Sequence, residues 1–313
     1  MLARRPTITE TILTVASAGN TAKAFAHSCS VYSIPVIIVI PESALQSLHF
    51  KGPIGPTVKI VAIKGGDYYD AIRFASELTK RPAFDSEGGV RNVGRRDGLG
   101  TVLFSAYEVM GRVPDYYFQA IGSGTGAIAV HEAGKRLNKN MEPGPRLFLS
   151  QNAPFDRICE SWKLRQRTFI QFDEMEAKRR QALMAASVLA NRAPPYAVRG
   201  GLYDALSESR GDVVSVTNSD ARKAADLFLR NEHIDLDPAA SVALASLIQA
   251  VEKDSINKDA YVLLNLTGGG HRKIASEAVM AKRADVVIGA SEISNERSIE
   301  MVEKIAFELL SRP

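Results

Sequence analysis

Only two cysteines, Cys29 and Cys159, occur in the 313 residues, and they lie far apart in the chain. They argue against a disulfide framework, rule out a cysteine-rich zinc site and point to a reducing cytoplasm. The five histidines, His27, His49, His131, His233 and His271, do not sit in metal-ligand spacing, so no metal is expected. No Ser–His–Asp arrangement stands out. No apolar run reaches the ~18–20 residues that cross a bilayer, so no membrane role is expected. Met1-Leu2-Ala3-Arg4-Arg5-Pro6 is followed by no apolar stretch or cleavage site, and no signal peptide is expected. Excess charge of one sign is also missing. The 39 basic and 35 acidic residues are interleaved and leave a net charge of +4, which gives no case for nucleic acid. There is no internal repeat and no low-complexity tract.

What the chain does have is alternation. Apolar strand-like runs at residues 12–16, 35–40, 58–63, 116–121, 147–150, 213–216 and 261–266 alternate with helical patterns such as 69–78, 126–137, 220–230 and 239–252. Most of the runs are continuous, as in parallel strands covered on both faces. Asp237 followed by Pro238 supplies a helix cap and a first-turn proline. The pattern predicts an α/β fold. The length allows two domains or one large one. The end of 41–56, with Pro53, Gly55 and Pro56, reads as a connection. The glycine- and charge-rich stretch 81–97 reads as a connection and a domain boundary, and the charged run 173–180 as a solvated helix face.

Three small-residue turns follow apolar runs. The first is Ala16-Ser17-Ala18-Gly19-Asn20-Thr21, which leads into the helical Lys23-Ala24-Phe25-Ala26. The second is Gly122-Ser123-Gly124-Thr125-Gly126, and the third is Thr267-Gly268-Gly269-Gly270. A strand that turns into a helix points unpaired backbone N–H groups at whatever sits in the turn, which suits an anion. Asn20 and Thr267 add side chains able to bond a second polar group or a ligand ring. A bare turn is the alternative at each place. With Ala127, the second turn also matches a dinucleotide fingerprint. That reading needs an acid at the end of the next strand, and Glu142 precedes that strand, so a single phosphate is preferred. His271 and Lys273 read as surface residues. Arg91, Arg95 and Arg96 stand among Gly88, Gly89, Gly94 and Gly98, either as a phosphate- or sulfonate-binding loop or as a salt-bridged one.

Together the three turns resemble those of the fold type II pyridoxal-phosphate enzymes, nearest the threonine synthase group. Residues 92–101 are similar to that group's Asn-Pro-x-Arg-x-x-Gly-x-x-Thr stretch, with Val93 for the proline. Gly66 to Ala71 resembles its Gly-x-x-x-Asp-Ala element. More narrowly, ASAGNTAKAFAH, EGGVRNVGRRDGLGTV and PDYYFQAIGSGTGAIA resemble archaeal cysteate synthases. The resemblance implies two three-layer αβα domains with a cleft between them, a smaller one over 1–98 and a larger cofactor-binding one over 99–313. It implies pyridoxal 5′-phosphate as cofactor and β-replacement of the phosphate of O-phosphoserine by sulfite, on the way to coenzyme M. A small-molecule amino acid is then the substrate, and a homo-oligomer the expected assembly.

Site roles follow from the same resemblance. Gly122, Ser123, Gly124, Thr125 and Gly126 would hold the cofactor phosphate, Asn20 its phenolic oxygen, and Thr267 would face the pyridine nitrogen. Ser17, Ala18, Gly19 and Thr21 would bind the substrate carboxylate. Arg95, with Arg91 or Arg96, would meet the substrate phosphate or the sulfite. The family's Schiff-base lysine lies ahead of the Ala16 motif. Here no lysine precedes Lys23, which stands after the motif, so that lysine is expected outside the sequence, through a late start or a fragment, with a true loss of the lysine the less favoured alternative, and no catalytic residue is assigned. Threonine synthase or a serine/threonine deaminase stays open as an alternative, as does a non-catalytic remnant that binds the cofactor. A nicotinamide-dependent oxidoreductase is more distant.

Overall fold

The structure, a computed structural model, describes residues 11–17, 19–50, 52–138, 144–277, 280–281 and 283–310. Glu142, Ala18 and the first ten residues lie outside this set. The chain forms two compact units: one is residues 89–271, and the other is built from the chain before and after it.

The flanking unit begins with β1 (Ile12–Ala16), α1 (Asn20–Val31), β2 (Val36–Pro41), a short β3 (His49–Phe50), β4 (Val58–Lys64), α2 (Tyr68–Leu78) and β5 (Phe84–Ser86). β2 is buried along its whole length, the burial that a continuous apolar run predicts. Ile12, Ile37, Val39, Val61 and Ile63 pack with Phe74 and Leu78 of α2 on one face. α1 packs against β1, β2 and β4, placing Ala22, Ala26 and Cys29 inside. Asp67 and Asp70 form a capping box at α2. Asp67 Oδ1 accepts the Tyr69 and Asp70 N–H groups at 2.8 and 3.1 Å, and Asp70 Oδ2 accepts the Asp67 N–H at 3.1 Å. This gives the Gly66–Ala71 element a local structural reason.

The central unit runs through α3 (Val93–Met110), β6 (Tyr116–Ala120), α4 (Thr125–Leu137), β7 (Arg146–Asn152), α5 (Arg157–Lys163), α6 (Glu174–Ala182), α7 (Leu202–Glu208), β8 (Asp212–Val216), α8 (Asn218–Glu232), α9 (Pro238–Glu252) and β9 (Val262–Leu264). Its sheet is parallel, in the order β8-β7-β6-β9. Tyr117, Leu147 and Leu149 pack towards α3, α4, α5 and α7, and Phe118 and Phe148 towards α9. The sheet is thus the middle of three layers.

The chain then returns to the flanking unit through α10 (His271–Ser276), β10 (Met280–Ala281), β11 (Val286–Gly289) and α11 (Glu296–Leu310). β11 pairs in parallel with β4, giving the order β11-β4-β2-β1-β5, all parallel, while β10 pairs antiparallel with β3. Ile299, Val302 and Ala306 of α11 join the core of α2.

The sequence placed a division at Gly98 and assigned everything after it to one domain. In the structure Gly98 lies inside α3, the units part at residue 88, and residues from 272 onward belong with the first sheet. The stretch 81–97, read as a connection, contains β5 and the start of α3. Cys29 and Cys159 are free and buried in different units. Burial pushes their thiols up, to about 12 and about 11.

Candidate functional site

The 122–126 loop leaves the C-terminal end of β6 and becomes the N-terminus of α4. The Ile121 N–H donates to Ser150 O at 2.8 Å, which carries the β6–β7 ladder up to the loop. The turn needs its glycines. Gly124 has φ +78°, and a Cβ there would fall 2.8 Å from Leu202 Cδ2. A Cβ on Gly122 would stand 3.1 Å from Leu189 O. No side chain caps α4 at Gly124, and no acidic residue lies in its first turn. Ser123 Oγ accepts the Thr125 N–H at 3.3 Å and lies 2.9 Å from Thr125 Oγ1. The result is a helix N-terminus with two hydroxyls and no acidic residue in its first turn. That donor set fits a phosphate monoester.

Leu189 and Leu202, on which this loop rests, flank Arg192, whose carbonyl is one of three groups held by the fully buried Arg157. Its Nε donates to Ile170 O at 2.9 Å, Nη1 to Arg192 O at 3.2 Å, and Nη2 to Gln171 Oε1 at 2.6 Å. Its guanidinium lies over the rings of Phe155, Phe169 and Phe172, and burial draws its pKa down to about 10. The sequence reading missed Arg157, because all three of its polar partners come from irregular chain.

The 267–270 turn follows β9 at the same end of the same sheet, and Thr267 is exposed. Residues 235–237 clamp it. The Asp237 N–H donates to Gly268 O at 3.0 Å, and the Gly270 N–H to Asp235 O at 2.7 Å, around an antiparallel bridge between Leu236 and Gly269. A Cβ on Gly269 would fall 2.6 Å from Asp235 O. Asp237 stands at the N-cap of α9 with Pro238 behind it, but its side chain does not cap the helix. It meets His271 Nε2 instead, so His271, read as a surface residue, closes the clamp.

In the flanking unit, Ser17 is buried and Asn20 and Thr21 open α1. Ser17 Oγ accepts the N–H groups of Gly19 at 3.3 Å and Ala22 at 3.2 Å, so part of the anion-binding capacity expected of this turn is met internally. Ala18 lies outside the described residues.

The arginine stretch departs from the expected flexible loop. Arg91 is exposed on a 3₁₀ turn, and Arg95 and Arg96 lie in the first turn of α3, where Asn92 Oδ1 caps the Arg95 N–H at 3.2 Å. Arg96, expected to meet a phosphate or sulfite, instead donates to Glu132 of α4 and to Val90 O. Gly94 and Gly100 are buried in this helix. A Cβ on Gly100 would lie 3.2 Å from Ala133 Cβ and 3.3 Å from Ala129 O, so this glycine serves close helix approach. Among the described residues no group of His, Cys, Asp or Glu could hold a metal ion, and no helix is long and apolar enough to cross a membrane.

Known proteins match this chain closely. A cysteate synthase of Methanoculleus marisnigri is 45% identical over 270 residues, covering 85% of this chain and 62% of the relative. A cysteate synthase of Methanosarcina mazei is 40% identical over 288 residues, covering 90% and 69%. The chain therefore spans 62% and 69% of the lengths of these two relatives. A fungal L-serine ammonia-lyase from Rhizomucor miehei aligns with a TM-score of 0.66 at 16% identity, covering 84% of this chain and 79% of that one. Threonine deaminase isoform 2 of Solanum lycopersicum aligns with a TM-score of 0.61 at 16% identity, covering 89% and 77%. These two likenesses bear on the fold. The model of the family described as pyridoxal-phosphate dependent enzymes matches residues 2–268, and on that match the chain belongs to this family, in its fold type II, with pyridoxal 5′-phosphate as cofactor.

Proposed function

We propose that the protein catalyses β-replacement on O-phosphoserine, with sulfite as the incoming nucleophile and cysteate and phosphate as products. The observation that carries this reading is the 40–45% identity to cysteate synthases over 84–90% of the chain. The C–O bond to the phosphate breaks, a C–S bond to sulfite forms, and no oxidant is needed.

The bound cofactor supplies the electron sink that loosens bonds at the substrate's α-carbon. The protein's own residues bind and orient. The 122–126 loop holds the cofactor phosphate with the α4 N–H groups and the Ser123 and Thr125 hydroxyls. Thr267, fixed by the clamp on its turn, presents a hydroxyl to the pyridine nitrogen. A neutral hydroxyl there does not force a proton onto the ring. Asn20 keeps the role of bonding the phenolic oxygen, and Ser17, Ala18, Gly19 and Thr21 that of binding the substrate carboxylate. Arg95 and Arg91 bind the substrate phosphate or sulfite, with Arg96 committed to Glu132. The same reading places the protein in coenzyme M biosynthesis, in an archaeal cytoplasm and in a homo-oligomer; the two free thiols and the archaeal relatives support the compartment and source.

The test supplies the full-length protein with pyridoxal phosphate, O-phosphoserine and sulfite, and measures both products. Equal release of phosphate and cysteate, lost in Arg95→Ala, is expected. Phosphate without cysteate would replace this reading with a lyase or a threonine synthase-like one.

A further inference from the structure

On the face of β6 that carries α4, three polar side chains form one line of hydrogen bonds. Asn265, the first residue beyond β9, donates Nδ2 to the Tyr117 hydroxyl at 2.7 Å. The Tyr117 hydroxyl donates to Gln119 Oε1 at 3.0 Å. Tyr117 is fully buried, among Leu103, Ala127 and Ile128. The Tyr117 hydroxyl inside this apolar core is unfavourable unless it is partnered, and a phenylalanine would fill this volume without that demand.

Both ends of the line reach the candidate site. The Gln119 amide rests on the first turn of α4, where a Cβ on Gly126 would fall 2.8 Å from its Nε2. The Asn265 N–H extends the β6–β9 ladder by donating to Phe118 O at 2.9 Å, and Thr267 follows two residues later. Burial raises the Tyr117 phenol above its ordinary value, so the hydroxyl stays protonated and can accept from one neighbour while donating to the other.

We propose that Tyr117 is a positioning residue that, through Gln119 and Asn265, fixes the 122–126 loop and the 267–270 turn in one relation to each other. The inference rests on the reading that the 122–126 loop holds the cofactor phosphate. A phenylalanine at 117 removes the partner of Gln119 Oε1 and of Asn265 Nδ2 and loosens the relation between the loop and the turn.

The test is equilibrium dialysis of pyridoxal phosphate against the full-length protein and its variants, with unfolding midpoints measured alongside. Tyr196→Phe is the control. That phenol is also fully buried in the same core, but its hydroxyl donates to Gln166 O at 3.0 Å, outside the line. Tyr117→Phe is expected to raise the dissociation constant about tenfold, the weight of one buried hydrogen bond. Tyr196→Phe should leave it within about twofold while lowering the unfolding midpoint similarly. Asn265→Ser breaks the line from its other end and should match Tyr117→Phe, with the double variant no worse than either. It also serves if Tyr117→Phe does not fold. Normal binding by the unaltered protein with unchanged binding in Tyr117→Phe and Asn265→Ser would overturn the inference alone, as would equal loss in Tyr196→Phe. No binding by the unaltered protein would overturn the cofactor-site reading, and the inference with it.

Discussion

Arg96 Nε lies 3.0 and 2.9 Å from the two carboxylate oxygens of Glu132, and this pair ties the first turn of α3 to the middle of α4. The helix that opens the central unit is thus held to the helix whose N-terminus forms the candidate phosphate site. Their side chains are 18% and 31% exposed, so the pair is only partly screened by solvent. Glu132→Ala should lower stability by about 1 kcal/mol, with a similar coupling energy to Arg96→Ala in a double-mutant cycle read by urea unfolding. A coupling near zero would show that the pair adds nothing to the contact.

The glycines of α3 should separate sharply. Gly100→Ala pushes a methyl into Ala133 and the Ala129 carbonyl, and should cost about 1–3 kcal/mol. Gly98→Ala meets nothing within 4 Å in the same helix, and should stabilise by about 0.5–1 kcal/mol through helix propensity and unfolded-state entropy. Urea midpoints of the two variants check both signs.

Sequence and structure agree where the signal is local, and the Gly98 and Gly100 pair shows where it stops. The apolar runs of β1, β2, β4, β6, β7 and β8 were visible because each is continuous, and the 122–126 loop because strand, glycines and helix adjoin in the chain. Three glycines in ten residues hid α3, since nothing local tells a glycine needed for helix approach from one that makes a loop flexible. The commitment of Arg96 depends on Glu132, 36 residues away. β11 is four residues long with Val287 exposed, and its partner β4 lies more than two hundred residues earlier, so the return of the chain to the first sheet left no periodic trace.

Stability should depend on pH through Glu208. Lys135 Nζ lies 2.8 Å and His131 Nε2 2.9 Å from its Oε2, and both hold its carboxyl below the ordinary value of 4.5. A depressed carboxyl contributes stability above its unfolded pKa and loses that contribution as pH falls through the folded one. The unaltered protein should therefore exceed Glu208→Gln in stability at neutral pH, and the gap should narrow below about pH 4.5. Unfolding curves for both proteins across acid pH check this, and a gap that does not change with pH would contradict it.

The 122–126 loop is the proposed seat of the cofactor phosphate. Ser123→Asp tests it most directly, because position 123 is not a glycine and an aspartate can still accept the Thr125 N–H that Ser123 Oγ accepts now. Its carboxylate would occupy the helix N-terminus and repel a phosphate dianion. Pyridoxal phosphate should bind the unaltered full-length protein saturably and bind Ser123→Asp at least about tenfold more weakly, with the unfolding midpoint retained. Equal affinity in the two proteins would place the phosphate elsewhere and contradict the account.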